Sequence, residues 1–158
     1  MARTLVIGYG NPLRGDDGLG WRIVDRLAKM VAGEKTKILA VHQLTPELAE
    51  PISASDLVIF VDASYQGEPG SWRCEAIAPN GEVSNALAHY FTPVGLLGYA
   101  DALFRARPRS LLISVAALSF DCSDQLSSNI EAVIPDIVQY IGTQISWFSQ
   151  ISAHSAVT

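Results

Sequence analysis

Hydrophobic positions along this chain follow two alternating patterns. Short β-branched or continuous apolar runs at 4–9 (TLVIGY), 38–43 (ILAVHQ), 57–61 (LVIFV) and 111–118 (LLISVAAL) read as strands. The run at 57–61 is apolar without alternation, as expected of a central strand covered on both faces, and it ends on Asp62. Between the first two strands, Leu19, Ile23, Val24, Leu27, Met30 and Val31 recur at three- and four-residue steps. That spacing predicts an amphipathic helix closed by Gly33, with Met30 in the core. Residues 46–55 predict a short helix opened by Thr45 and Pro46 in cap and first-turn positions. Leu96, Leu97, Ala100, Leu103 and Phe104 mark one side of a helix over 93–104. Ile130, Val133, Ile134, Ile137, Val138 and Ile141 mark a final helix ending near Gly142, with Pro135 expected to kink it or to mark a late restart. Beyond about Trp147 the chain reads as a frayed tail.

The turn residues Gly67, Pro69 and Gly70 precede a loosely alternating stretch at 72–78, which fits an antiparallel edge strand. Residues 80–88 are polar and aperiodic, and read as a loop. Strands alternating with helices predict a three-layer α/β/α sandwich of about five mostly parallel strands with one antiparallel edge strand. The expected organisation is a single domain over 1–145 and a flexible tail over 146–158. No internal repeat or low-complexity linker interrupts it.

Composition narrows the function classes. With 11 Lys and Arg against 16 Asp and Glu, the net charge of −5 gives no electrostatic footprint for nucleic acid or anionic lipid. Cys74 and Cys122 match neither a disulfide framework nor a zinc spacing and read as small buried apolar residues. No apolar run reaches the ~18 residues of a membrane span, and the first residues enter a strand without a cleavable leader. The expectation is a cytoplasmic protein with no membrane or nucleic-acid partner.

Ligands of an open α/β sheet bind outside the carboxyl ends of its strands. After the first strand comes Gly8-Tyr9-Gly10-Asn11-Pro12-Leu13-Arg14-Gly15-Asp16-Asp17-Gly18-Leu19-Gly20, after the third comes Asp62, and before the 93–104 helix comes His89. Asp17, Asp62 and His89 can therefore meet on one rim, and such a set suits a divalent transition ion with open positions. Each also has a plainer reading: an acidic helix cap, a turn former, a solvated loop histidine. A dinucleotide loop fits poorly, because the glycines run G-x-G-x-x-x-x-G and two acids would face a pyrophosphate. A phospho-accepting receiver domain lacks its lysine, since none follows Lys37. No nucleophile elbow is present. Water attack assisted by a metal or a carboxylate remains, alongside a metal- or small-ligand-binding module without hydrolysis.

The string from Ile7 to Gly20 resembles the opening signature of the hydrogenase maturation endopeptidases. Val61-Asp62-Ala63 resembles their third-strand motif, and His89-x-x-x-Pro93-x-x-Leu96-Leu97 their histidine-plus-helix motif. The resemblance implies an enzyme that removes the C-terminal extension of a [NiFe] hydrogenase large-subunit precursor after nickel insertion. It implies that Asp17, Asp62 and His89 are the metal-binding and catalytic residues, with Asp16 a substitute for Asp17 if the loop register differs by one. It further implies that the nickel is carried by the substrate, and that the protein has no tightly bound cofactor of its own. Where the family often has Glu, this chain has the shorter Asp17. His42, near the end of the second strand and leading into the loop after it, is a candidate substrate contact. Tyr65, Trp72 and Tyr90, beside the glycine-rich rim, are candidate anchors for a protein tail.

Overall fold

The computed structural model describes residues 2–31, 33, 35–81 and 91–155. Its order of elements is β1 (Thr4–Tyr9), α1 (Leu19–Met30), β2 (Thr36–Val41), α2 (Ala49–Ser53), β3 (Leu57–Ser64), β4 (Trp72–Ile77), α3 (Pro93–Phe104), β5 (Arg109–Ala116) and α4 (Ser128–Ser155). Single 3-10 turns precede α1 at Gly15–Gly18 and α2 at Pro46–Leu48. The five strands form one sheet in the order β2-β1-β3-β5-β4. All neighbours are parallel except β4, which runs antiparallel to β5 at the edge. The sandwich and its antiparallel edge strand are as the sequence predicts.

Strand alternation sorts the core into two layers. Val6, Ile59, Val61, Ile113 and Val115 pack with α1 and α4 on one face of the sheet. Leu5, Ile7, Val58 and Phe60 pack with α2 and α3 on the other. Burying both faces explains why β3 reads as a continuous apolar run rather than an alternating one. Gly8 and Gly20 let β1 and α1 approach closely, since a Cβ on Gly8 would overlap the Gly20 carbonyl. At α3, Pro93 occupies the first turn while the Thr92 hydroxyl accepts the Gly95 N–H at 3.0 Å.

Several boundaries differ from the expectation. β2 begins two residues early, at Thr36, and β3 runs on through Asp62 to Ser64, because it pairs with β5 as far as Ser64–Ala116. The last helix does not end near Gly142, and residues 146–155 are its final turns rather than a tail. The buried stripe Ile130, Ile134, Ile137, Val138, Ile141 and Ile145 carries α4 past both breakers. Pro135 lies on the exposed side, and Gly142 gives room for the Met30 methyl. Beyond Gly142, Phe148 packs on the core and Arg109 stacks 5.5 Å from the Trp147 ring. Met30 itself is not core but half exposed at the end of α1, as are Leu103 and Phe104 at the end of α3. In both cases the periodic pattern outruns the neighbouring layer. Cys74 is half-buried beside Tyr140, whereas Cys122 is exposed rather than buried. Among the described residues, no helix is long and apolar enough to cross a membrane.

Candidate active site

In this strand order the connections leave β1 and β3 in opposite directions, so a crevice opens where their carboxyl ends diverge. Tyr9 ends β1, and Asp62 follows the Gly8–Val61 pair by one residue on β3. By alternation Tyr9 and Asp62 both face the α2/α3 layer, side by side. The loop after β1 brings Asp17 to the same place. Asp17 and Asp62 line one cleft of about 420 Å³, together with Arg14, Tyr65, Gln66 and Phe120.

The loop that carries Asp17 is folded on its own backbone. The Asn11 carbonyl accepts the Arg14 N–H at 3.1 Å, and its side-chain oxygen accepts the Leu13 N–H at 2.9 Å. Asp17 in turn accepts the Asn11 N–H at 2.7 Å. Gly10 has φ +142°, and a Cβ there would overlap the Asp17 carbonyl. The Gly10 carbonyl accepts the Trp21 indole N–H at 2.9 Å, tying the loop to α1.

Asp16 and Asp17 are neighbours in sequence with separate uses. The Asp16 carboxylate is fully buried and accepts the N–H groups of Leu118 (2.9 Å), Ser119 (3.0 Å) and Ser127 (2.7 Å), and the Ser127 hydroxyl (2.8 Å). Burial works against its charge, but these donors prevail and hold it below the usual carboxylate range. Asp16 is thus engaged within the fold, while Asp17 lines the cleft. Asp16 clamps the loop after β1 to the segment between β5 and α4, which forms the other wall of the cleft.

Asp62 is the opposite case. Burial first, and then the charge of Asp17, push its carboxyl up to about 6 against the lowering influence of the Tyr9 hydroxyl and the Ala63 N–H. Tyr9 is held well above the ordinary phenol range by its burial and by the carboxylates of Asp62 and Asp17, so it stays a neutral donor toward Asp62. Tyr9 was not among the candidate residues. The signal available in the sequence was its position, the last residue of the strand beside the one that ends near Asp62.

His89 lies outside the described residues, as does Tyr90. Phe91 is buried in the α2/α3 layer and donates its N–H to the Leu44 carbonyl at 3.3 Å. Leu44 follows the carboxyl end of β2, so Phe91 is held at the rim of the sheet where Asp62 stands. Among the described residues, no three His, Cys, Asp or Glu side chains gather as a metal-holding group. His42 is exposed and meets the Trp21 ring edge-on at 5.2 Å. Tyr65 is 78% exposed and lies 4.1 Å from the Phe120 ring at the mouth of the cleft. Trp72 is half-buried against Tyr140.

No protein-family model and no curated protein sequence matches the chain. Solved structures do. A hydrogenase 2 maturation peptidase from a Thaumarchaeota archaeon is 27% identical over 91% of this chain and 98% of its own, with a TM-score of 0.71. The hydrogenase maturating endopeptidase HybD from E. coli is 27% identical over 88% of this chain and 89% of its own, with a TM-score of 0.67. A [NiFe] hydrogenase maturation protease HycI from Thermococcus kodakarensis is 25% identical over 89% of this chain and 90% of its own, with a TM-score of 0.70.

Proposed function

We propose that this chain, a hydrogenase maturation endopeptidase by fold and by sequence motif, removes the C-terminal extension of a [NiFe] hydrogenase large-subunit precursor once nickel is in place. The observation that carries the reading is the pair of carboxylates, Asp17 and Asp62, lining one cleft at the switch point of the sheet. Two acids held together at the cost of a raised Asp62 are poorly arranged for each other and well arranged for a cation. The nickel is the substrate's own cargo, and Asp17, Asp62 and His89 are the groups that read it. An open site with few ligands holds free metal weakly, yet gains affinity when the ion arrives fixed in a docked partner.

The chemistry divides among the residues. The ion polarises the scissile carbonyl or its water. Asp17, steadied by the Asn11 N–H, serves as a ligand. Asp62 is placed to accept a proton from the attacking water, with the Tyr9 hydroxyl donating to its carboxylate. Tyr65 and Phe120 offer apolar surface at the mouth for the precursor.

Incubating the chain with nickel-loaded precursor and weighing the product by mass spectrometry tests the proposal. The expected result is loss of the precursor's C-terminal segment by the wild type, abolished in Asp17→Ala, Asp62→Ala and His89→Ala. Full processing by all three variants overturns the site. Binding of the precursor without any cleavage by the wild type would instead identify a binding module.

A further inference from the structure

The cleft does not end at Asp62. Ser64 and Gln66 line both the acidic cleft and a second hollow of about 350 Å³, whose other side is formed by Ser71, Arg73 and Ser114. The register explains this shelf. Asp62 on β3 pairs with Ser114 on β5, and Ser114 pairs with Arg73 on β4. The three therefore form one row across the sheet, on one face. One pleat nearer the strand origins, Phe60 and Leu112 are packed in the α2/α3 layer. The row beyond them is polar.

The groups on the shelf are left with bonding capacity. Arg73 is exposed and has no ion pair among the described residues, as is true of Arg14, Lys35, Lys37, Arg105 and Arg109; of these, Arg73 is the one that lines the second hollow. The Ser114 hydroxyl has no partner among the described residues, and Ser64 accepts the Gln66 N–H at 3.1 Å while keeping its own proton to donate. The floor is fixed by the Gly70 N–H to Ala116 carbonyl bond at 2.9 Å and the Ala116 N–H to Ser71 carbonyl bond at 2.8 Å.

We propose that this shelf receives the segment of substrate that is cut away, and that Arg73 pairs with a carboxylate on it. The inference rests on the endopeptidase reading and adds the direction in which the tail lies. A carboxylate on the departing segment is repelled by Asp17 and Asp62, which outnumber Arg14 at that end of the groove, and attracted to Arg73 at the other, so the two ends orient the chain. Neighbouring strands are ~4.8 Å apart, which puts the backbones of Asp62 and Arg73 about 10 Å from each other. Extended chain advances ~3.3 Å per residue, so the carboxylate belongs about three residues beyond the cut bond. It is either the terminal carboxylate or an Asp or Glu side chain.

Steady-state cleavage of nickel-loaded precursor by the full chain and by Arg73→Gln, Arg73→Lys and Arg73→Glu tests this. Expected is a KM about three- to tenfold higher in Arg73→Gln, higher still in Arg73→Glu and partly restored in Arg73→Lys, with kcat changed less than about twofold. Two altered precursors identify the carboxylate. One has amides in place of the acidic side chains within four residues of the cut, and the other has its terminus displaced by a glycine extension. Whichever makes wild type and Arg73→Gln alike in KM names the source, and failure of both overturns the proposal. A wild-type KM in Arg73→Gln overturns it while leaving the endopeptidase reading intact. A wild-type chain that cleaves no nickel-loaded precursor overturns that reading and this inference with it.

Discussion

Asp16 and Asp62 are both carboxylates of the same cleft region, and the fold treats them oppositely. Asp16 is sealed from water and given four donors, which lower its affinity for a proton. Asp62 is half-buried beside another acid and has its affinity raised. A fully satisfied carboxylate is a structural fastener, because nothing further can be gained by binding to it. An under-satisfied one next to a like charge keeps binding capacity to spare, as the cation reading proposed above requires.

The contrast predicts that the two acids fail differently. Asp62→Asn should lower precursor processing by about a hundredfold or more, while thermal unfolding shows a stability loss of no more than ~0.5 kcal/mol. Asp16→Ala should do the reverse in kind. It strands buried N–H groups and should cost about 3 kcal/mol, read as a fall in Tm of about 6–12 °C. Gly10→Ala should couple the two behaviours, because a side chain there collides with the Asp17 backbone and sits at φ +142°. It should cost about 2 kcal/mol, and processing should fall by more than the stability loss explains. The smallest effect is in the pH dependence. A carboxyl with a lowered folded pKa lends stability that is full above the unfolded value of ~3.9 and is lost as pH falls through the folded value. Below pH ~4, then, the wild type should lose stability with acid more steeply than Asp16→Asn, measured by denaturant unfolding.

Much of this was legible in the sequence because it depends on period. The strands, the α/β/α layering and the edge strand follow from where apolar residues repeat. The helix at Pro93–Phe104 was legible to the residue from the apolar side that runs from Leu96 to Phe104. The length of α4 was not, because Gly142 and Pro135 are local breakers while the stripe from Ile130 to Ile145 is held by tertiary packing. In the site, the motif order indicated Asp17 and Asp62, but sequence could not separate Asp16 from Asp17. That distinction depends on donors from Leu118 to Ser127, about a hundred residues away. Arg73 was invisible for the same reason: only the β4–β5 register sets it in line with Asp62.

The Asp16 fastening has a consequence for the order of events in a cell. Both cleft acids are synthesised within the first 62 positions, yet the wall that braces their loop arrives only with Ser119, Ser123 and Ser127. A nascent chain emerging from the ribosome therefore carries the acids long before it can set them, and competence comes late, when the last third of the polypeptide closes on the first.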